Sequence, residues 1–160
     1  MAMPPLTVVW GVGNEIMRDD AAGIRAAELV RERGLPWMRV SICGVLPENH
    51  IAPLREISPR LLLVIDAADF GEKPGEIRLL RVCDIGGSVF SSHGIPIGVL
   101  LEPFEKNTRI VIIAIQPQDT GLGEGLSQPV AKAVKSVAGA VCDGTWENFP
   151  FIHSENLSPR

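Results

Sequence analysis

Residues 61–66 read LLLVID: five apolar side chains in succession, closed by a carboxylate. A strand with one wet face alternates apolar and polar residues, so an unbroken run of this kind predicts a strand covered on both faces, as in a parallel sheet. On its N-terminal side, Thr7-Val8-Val9-Trp10 is a short buried strand ending at Gly11. A helix follows over about residues 20–32, with Ala22, Ala26, Leu29 and Val30 on one face, and Gly34-Leu35-Pro36 stops it. Met38 to Ile42 is a second strand. Pro47 to Ile57 is a helix with Pro47 in its first turn, bent or weakened where Pro53 removes a hydrogen bond.

On the C-terminal side, Gly71 to Gly75 is a turn, and Glu76 to Leu80 alternates like an edge strand. A helix is expected from just after His93 towards Lys106. Ile110 to Ile115 is a buried strand followed by Gln116-Pro117. Ser127 is placed to cap a last helix with Pro129 in its first turn and Val130, Val134, Val137 and Val141 along one face. Residues 145–160 carry no periodicity and are expected to form a loosely held tail behind a single domain of residues 1–144. Strands alternating with helices give an α/β fold, a mainly parallel sheet flanked by helices on both faces.

The 160 residues suit one core. With 46% hydrophobic and 21% charged residues, the chain belongs with globular and not disordered proteins. The net charge of -4 argues against a nucleic-acid partner, which calls for a basic face. LLLVI and IVIIAI fall short of the ~20 apolar residues that cross a bilayer. MAMPPLTVVW lacks the basic and apolar blocks of a signal peptide. Cys43, Cys83 and Cys142 are scattered and form no CxxC pair. Together these predict a cytoplasmic protein without membrane insertion.

Ligands of such sheets sit beyond the carboxyl ends of the strands. Three residues that carry chemistry fall at candidate loop positions there: Asp20, Asp66 and His93. Asp20 lies in GVGNEIMRDDAAG, residues 11–23, at a helix start where a carboxylate is favoured by the helix dipole and equally serves as an ordinary cap. Asp66 ends a buried strand and must be solvated, hydrogen-bonded or bound. His93 stands in SSHGIP ahead of a new helix. Two carboxylates and an imidazole suit a divalent transition metal. His50 and His153 read as surface residues.

Phosphate binding fits poorly. Ile16 stands where a third glycine would complete GxGxxG, Asp19 and Asp20 would repel a pyrophosphate, and no Walker pattern exists. No GxSxG elbow occurs, and no cysteine has a histidine near it in sequence. A paired-carboxylate mechanism through Asp20 and Asp66 remains open.

GVGNEIMRDDAAG, LLLVIDAADFGEKPGEI, SSHGIP and IAIQP, in that order, resemble the hydrogenase maturation endopeptidases. The stretch PENHIAPLREISPRLLLVIDAADFGEKPGEIRLL is especially similar to the branch that processes formate-hydrogenlyase-type enzymes. The resemblance covers about residues 7–142. It implies a twisted five-stranded sheet between helical layers, and an endopeptidase grouped with the aspartic peptidases. Its partner would be the precursor of a nickel-iron hydrogenase large subunit, from which it removes a C-terminal extension once nickel is in place. Nickel would arrive with that substrate and be recognised by Asp20, Asp66 and His93, with Asp20 or Asp66 as base. The glycines of the first motif would then serve the turn, and its acids a cation. Two positions depart from the family pattern: Ala21 replaces a glycine after the double acid, and Cys43-Gly44-Val45 replaces a Gly-Thr or Gly-Ser pair. A chaperone that checks nickel without cleaving, and a nucleotide-binding regulator, are the alternative functions.

Overall fold

A computed structural model describes residues 6–85 and 96–152. His93, His153 and the start of the helix expected after His93 lie outside the described residues. The chain runs β1 (Thr7–Val12), α1 (Ala22–Glu32), β2 (Met38–Gly44), α2 (Ile51–Ile57), β3 (Leu61–Ala67), β4 (Ile77–Arg81), α3 (Ile97–Leu101), β5 (Arg109–Ile115) and α4 (Gln128–Asp143). The sheet order is β2-β1-β3-β5-β4. All neighbours are parallel except β4, which pairs antiparallel with β5 at the edge. β3 is thus central, and its residues from Leu62 to Asp66 are all buried, as the apolar run predicts.

Successive residues of a strand face opposite sides of the sheet, and the core divides accordingly. Val9, Leu63, Ile65, Val111 and Ile113 meet α1 and α4 on one face. Val8, Trp10, Leu62, Val64 and Ile112 meet Leu54 of α2 and Ile97 and Leu101 of α3 on the other. The result is a three-layer α/β sandwich around a mainly parallel five-stranded sheet.

Several local expectations shift. The first helix begins as a 3-10 turn over Arg18–Ala21 before α1. Pro47–His50 is also 3-10, so α2 starts only at Ile51 and Pro53 falls in its first turn, where a missing N–H breaks no helical bond. The helix expected to run to Lys106 gives way at Glu102 to a 3-10 turn holding Pro103. His50, expected on the surface, is half-buried, its ring edge-on to Trp10 with centroids 6.2 Å apart. The stretch after Gly144 is packed as far as Ile152. Trp146 is buried, the Leu79 N–H donates to the Pro150 carbonyl (2.8 Å), and the Ile152 N–H donates to the Leu79 carbonyl (2.9 Å).

The strand order reverses at β1 and β3: the chain moves outward from β1 to β2, then crosses back to place β3 on β1's other side. Such a switch point opens a crevice at the carboxyl edge. The loops that follow β1 and β3 flank it.

Candidate active site

The loop after β1 is shaped by close backbone approach. A Cβ on Gly23 would overlap the carbonyl oxygens of Ile65 and Val12, so glycine lets the start of α1 rest on the ends of β3 and β1. A Cβ on Gly11 would lie 2.6 Å from that of Ala27. Gly13 adopts φ +147°, and a Cβ there would overlap the carbonyl oxygen of Asp20. These glycines bring the turn over Arg18–Ala21 down onto the sheet. Gly11 acts through packing rather than through the turn, which is the work of Gly13.

The register pairs Gly11 with Ile65, so the chain leaves β1 beside Asp66. The Asn14 N–H donates to Oδ2 of Asp20 at 3.0 Å. Asp66 is 5% exposed, and its Oδ1 is buried with no hydrogen-bond partner among the described residues. Burial first, and the neighbouring charge of Asp20 second, raise the Asp66 carboxyl well above the ordinary carboxylate range, against a smaller pull from the Ala67 amide. The structure therefore brings Asp20 and Asp66 together at the switch point. Among the described residues, no third His, Cys, Asp or Glu joins them in a cluster able to hold a metal ion.

Asp19, beside Asp20 in sequence, is fully buried and turned another way. Its Oδ1 accepts the Ser127 N–H (2.7 Å), and its Oδ2 accepts the N–H groups of Gln118 (2.9 Å) and Asp119 (3.0 Å) and the Ser127 hydroxyl (2.8 Å). Burial pushes its pKa up, but these bonds outweigh burial and hold it below the ordinary value. Ser127 does precede α4, yet its hydroxyl serves Asp19 and not the helix end.

Gln116 does comparable work beyond β3. Its Oε1 accepts the N–H groups of Phe70 (2.9 Å) and Glu72 (3.2 Å), and its Nε2 donates to Asp69 (3.0 Å). That bond, with one from the Gly71 N–H, keeps Asp69 below the ordinary carboxylate pKa. Asp19, expected with the other acids of its motif to serve a cation, accepts backbone N–H groups and a hydroxyl instead, and no role was expected of Gln116. Their signal was present only as polar residues flanking apolar runs, in RDDAAG and IAIQP.

A pair of carboxylates at a strand-order reversal is one feature; the whole chain supplies another. The sequence profile of the HycI hydrogenase maturation proteases matches residues 24–144. The chain belongs to the hydrogenase maturation protease family. It is 34% identical over 132 residues to the hydrogenase 3 maturation protease of Escherichia coli K12, covering 81% of this chain and 85% of that one. The solution structure of the endopeptidase HycI from Escherichia coli superposes with a TM-score of 0.83 at 32% identity, over 94% of this chain and 98% of that one. The crystal structure of a [NiFe] hydrogenase maturation protease HycI from Thermococcus kodakarensis gives 0.80 at 28%, over 90% and 94%. The fold and endopeptidase role are thus those of the maturation proteases. The matched range includes Asp66 and position 93, while Asp20 lies just ahead of it.

Proposed function

We propose that this maturation protease removes a C-terminal extension from the nickel-loaded large-subunit precursor of a nickel-iron hydrogenase, and that Asp20, Asp66 and His93 sense the nickel carried by that substrate. One observation carries the reading: two carboxylates come together at the carboxyl edge of the sheet, and Asp66 keeps a buried oxygen without a hydrogen-bond donor among the described residues. Such an oxygen is stabilised by a cation or a proton. Carboxylate oxygens with an imidazole nitrogen are a donor set that a divalent transition ion accepts. His93 is the imidazole that the resemblance implies.

Peptide hydrolysis also needs a base. An ordinary aspartate, with a pKa near ~3.9, is weakly basic at neutral pH. Burial beside Asp20 makes the Asp66 carboxylate a stronger proton acceptor, which suits it to take a proton from attacking water and return one to the departing amine. Asp20, fixed by Asn14, supplies the charge that keeps Asp66 in this condition. A metal-free precursor would bring no cation to face the two carboxylates, and its tail would not be held for attack.

The test is incubation with nickel-loaded and metal-free precursor, with the released peptide followed by mass spectrometry. Cleavage is expected only of the loaded form, and Asp20→Asn, Asp66→Asn and His93→Ala are each expected to abolish it. Equal cleavage of both precursors would end the nickel-sensing reading. Binding of the loaded precursor without release of a peptide would identify a checking chaperone instead.

A further inference from the structure

The geometry points to Asp19 as a positioning residue for Asp20, acting through a latch between the loop after β1 and the loop that leads into α4. This rests on the reading of Asp20 as a site carboxylate. Arg18–Ala21 is a 3-10 turn, in which neighbouring side chains stand roughly 120° apart. Fixing the direction of Asp19 therefore fixes that of Asp20.

Asp19 is fixed thoroughly. It is 0% exposed, and it takes four hydrogen bonds of 2.7–3.0 Å from Gln118, Asp119 and Ser127. The backbone repeats the tie: the N–H groups of Asp19 and Arg18 donate to the carbonyls of Asp119 (3.0 Å) and Gly123 (3.1 Å), and the Gly123 N–H donates to Ile16 (2.8 Å). Arg18 sits at φ +48°, a left-handed conformation that a side-chain-bearing residue keeps only when its surroundings impose it. The acceptor has to be a carboxylate. Its two oxygens face only donors, and an amide would turn an NH2 group against one of them.

The carboxylate of Asp20 reports its own position through the Asn14 N–H, 3.0 Å from its Oδ2. The experiment compares Asp19→Asn, Ser127→Ala, which removes one of the four bonds, and Ser127→Thr, which keeps the hydroxyl. Val137→Ala serves as a control that loosens α4 in the buried core. The Asn14 amide is followed by 15N NMR for chemical shift and exchange rate, and steady-state processing of nickel-loaded precursor gives kcat and KM.

We expect the Asn14 amide to move upfield and exchange faster in Asp19→Asn, and to a smaller degree in Ser127→Ala. Ser127→Thr and Val137→Ala should match the wild type. Processing by Asp19→Asn should fall roughly 10–100-fold in kcat, the usual effect of losing a group that orients a ligating residue, with KM changed by less than about twofold. An unchanged Asn14 amide in both Asp19→Asn and Ser127→Ala would overturn the inference, as would an equal change in Val137→Ala. If Asp19→Asn does not fold, the Ser127 variants decide. Failure of the wild type to process the precursor would sink the proposed function, while the amide still decides the positioning role.

Discussion

Two adjacent aspartates do different things because of where they point. Asp20 lies near enough to Asp66 for its charge to raise the Asp66 carboxyl, and Asp19 faces the loop before α4. The sequence made Asp20 and Asp66 visible through place: one at a helix start, the other at the end of an apolar strand. It could not separate Asp19 from Asp20, because the partners of Asp19 include backbone amides about a hundred residues away. Asp66 also carries a stability consequence. Its folded pKa is raised, so below the ordinary value of 3.8 it is protonated folded or unfolded and costs nothing. As the pH rises from there, the unfolded chain ionises first, and stability is lost until the folded carboxyl ionises too. Asp66→Asn should therefore melt with the wild type near pH 3.5 and above it at pH 7. The gain is about 1.4 kcal/mol for each unit of raised pKa, or ~2–4 °C per kcal/mol in a chain of this size. Calorimetry across that range checks it, and a variant less stable than wild type at pH 7 would contradict it. Asp20→Asn removes the second cause of the shift and leaves the first. The Asp66 carboxyl, followed by 13C NMR, should titrate lower than in the wild type and still above 3.8.

Between elements, the controlling feature is the distance of α1 from the sheet. The helix and its apolar face were legible from the spacing of Ala22, Ala26 and Val30, all buried against the sheet. The closeness of the approach was not, because GVGNEIMRDDAAG shows three glycines without saying what each one meets. Gly23 meets the carbonyls that end β1 and β3. Gly23→Ala should push α1 outward, costing roughly 1–3 kcal/mol by overpacking, and should part Asp20 from Asp66. The result expected is a lower melting temperature together with a larger loss of processing than Val137→Ala gives at equal stability. A melting temperature unchanged from wild type would show that the helix end has room. Gln116→Ala acts on the other wall of the crevice. It leaves the Phe70 and Glu72 N–H groups without their acceptor, at a cost of about 1–3 kcal/mol for each that water cannot reach. Protection of these two amides from hydrogen exchange should fall first.

For the molecule as a whole, the layered architecture was legible because continuous apolar runs alternate with helical periodicity, and only buried parallel strands read that way. The last packed stretch was not, because residues 145–152 have no period: scattered side chains, Trp146 and Ile152 among them, are buried, and two backbone bonds join the stretch to an edge strand. β4 closes one side of the sheet, with Leu79 buried yet its N–H and C=O directed away from β5. Pro150 and Ile152 satisfy both groups, and Trp146 fills the space beside α4 under the guanidinium of Arg109, 5.3 Å from its ring. A chain shortened to end at Gly144 would lose the tryptophan and leave both Leu79 groups open at the edge. Loss of a buried tryptophan alone costs ~3–5 kcal/mol, so the melting temperature should drop by roughly 10 °C. The bared edge would also offer its unpaired groups to a second copy, and concentration-dependent association should accompany the drop. A chain ending at Ile152 keeps all of these contacts and is the matched comparison, melting above the shorter chain by that amount and staying monodisperse relative to it. Equal melting temperatures would mean that β4 is held by β5 alone, and that the eight residues after Gly144 only lie against a sheet already complete.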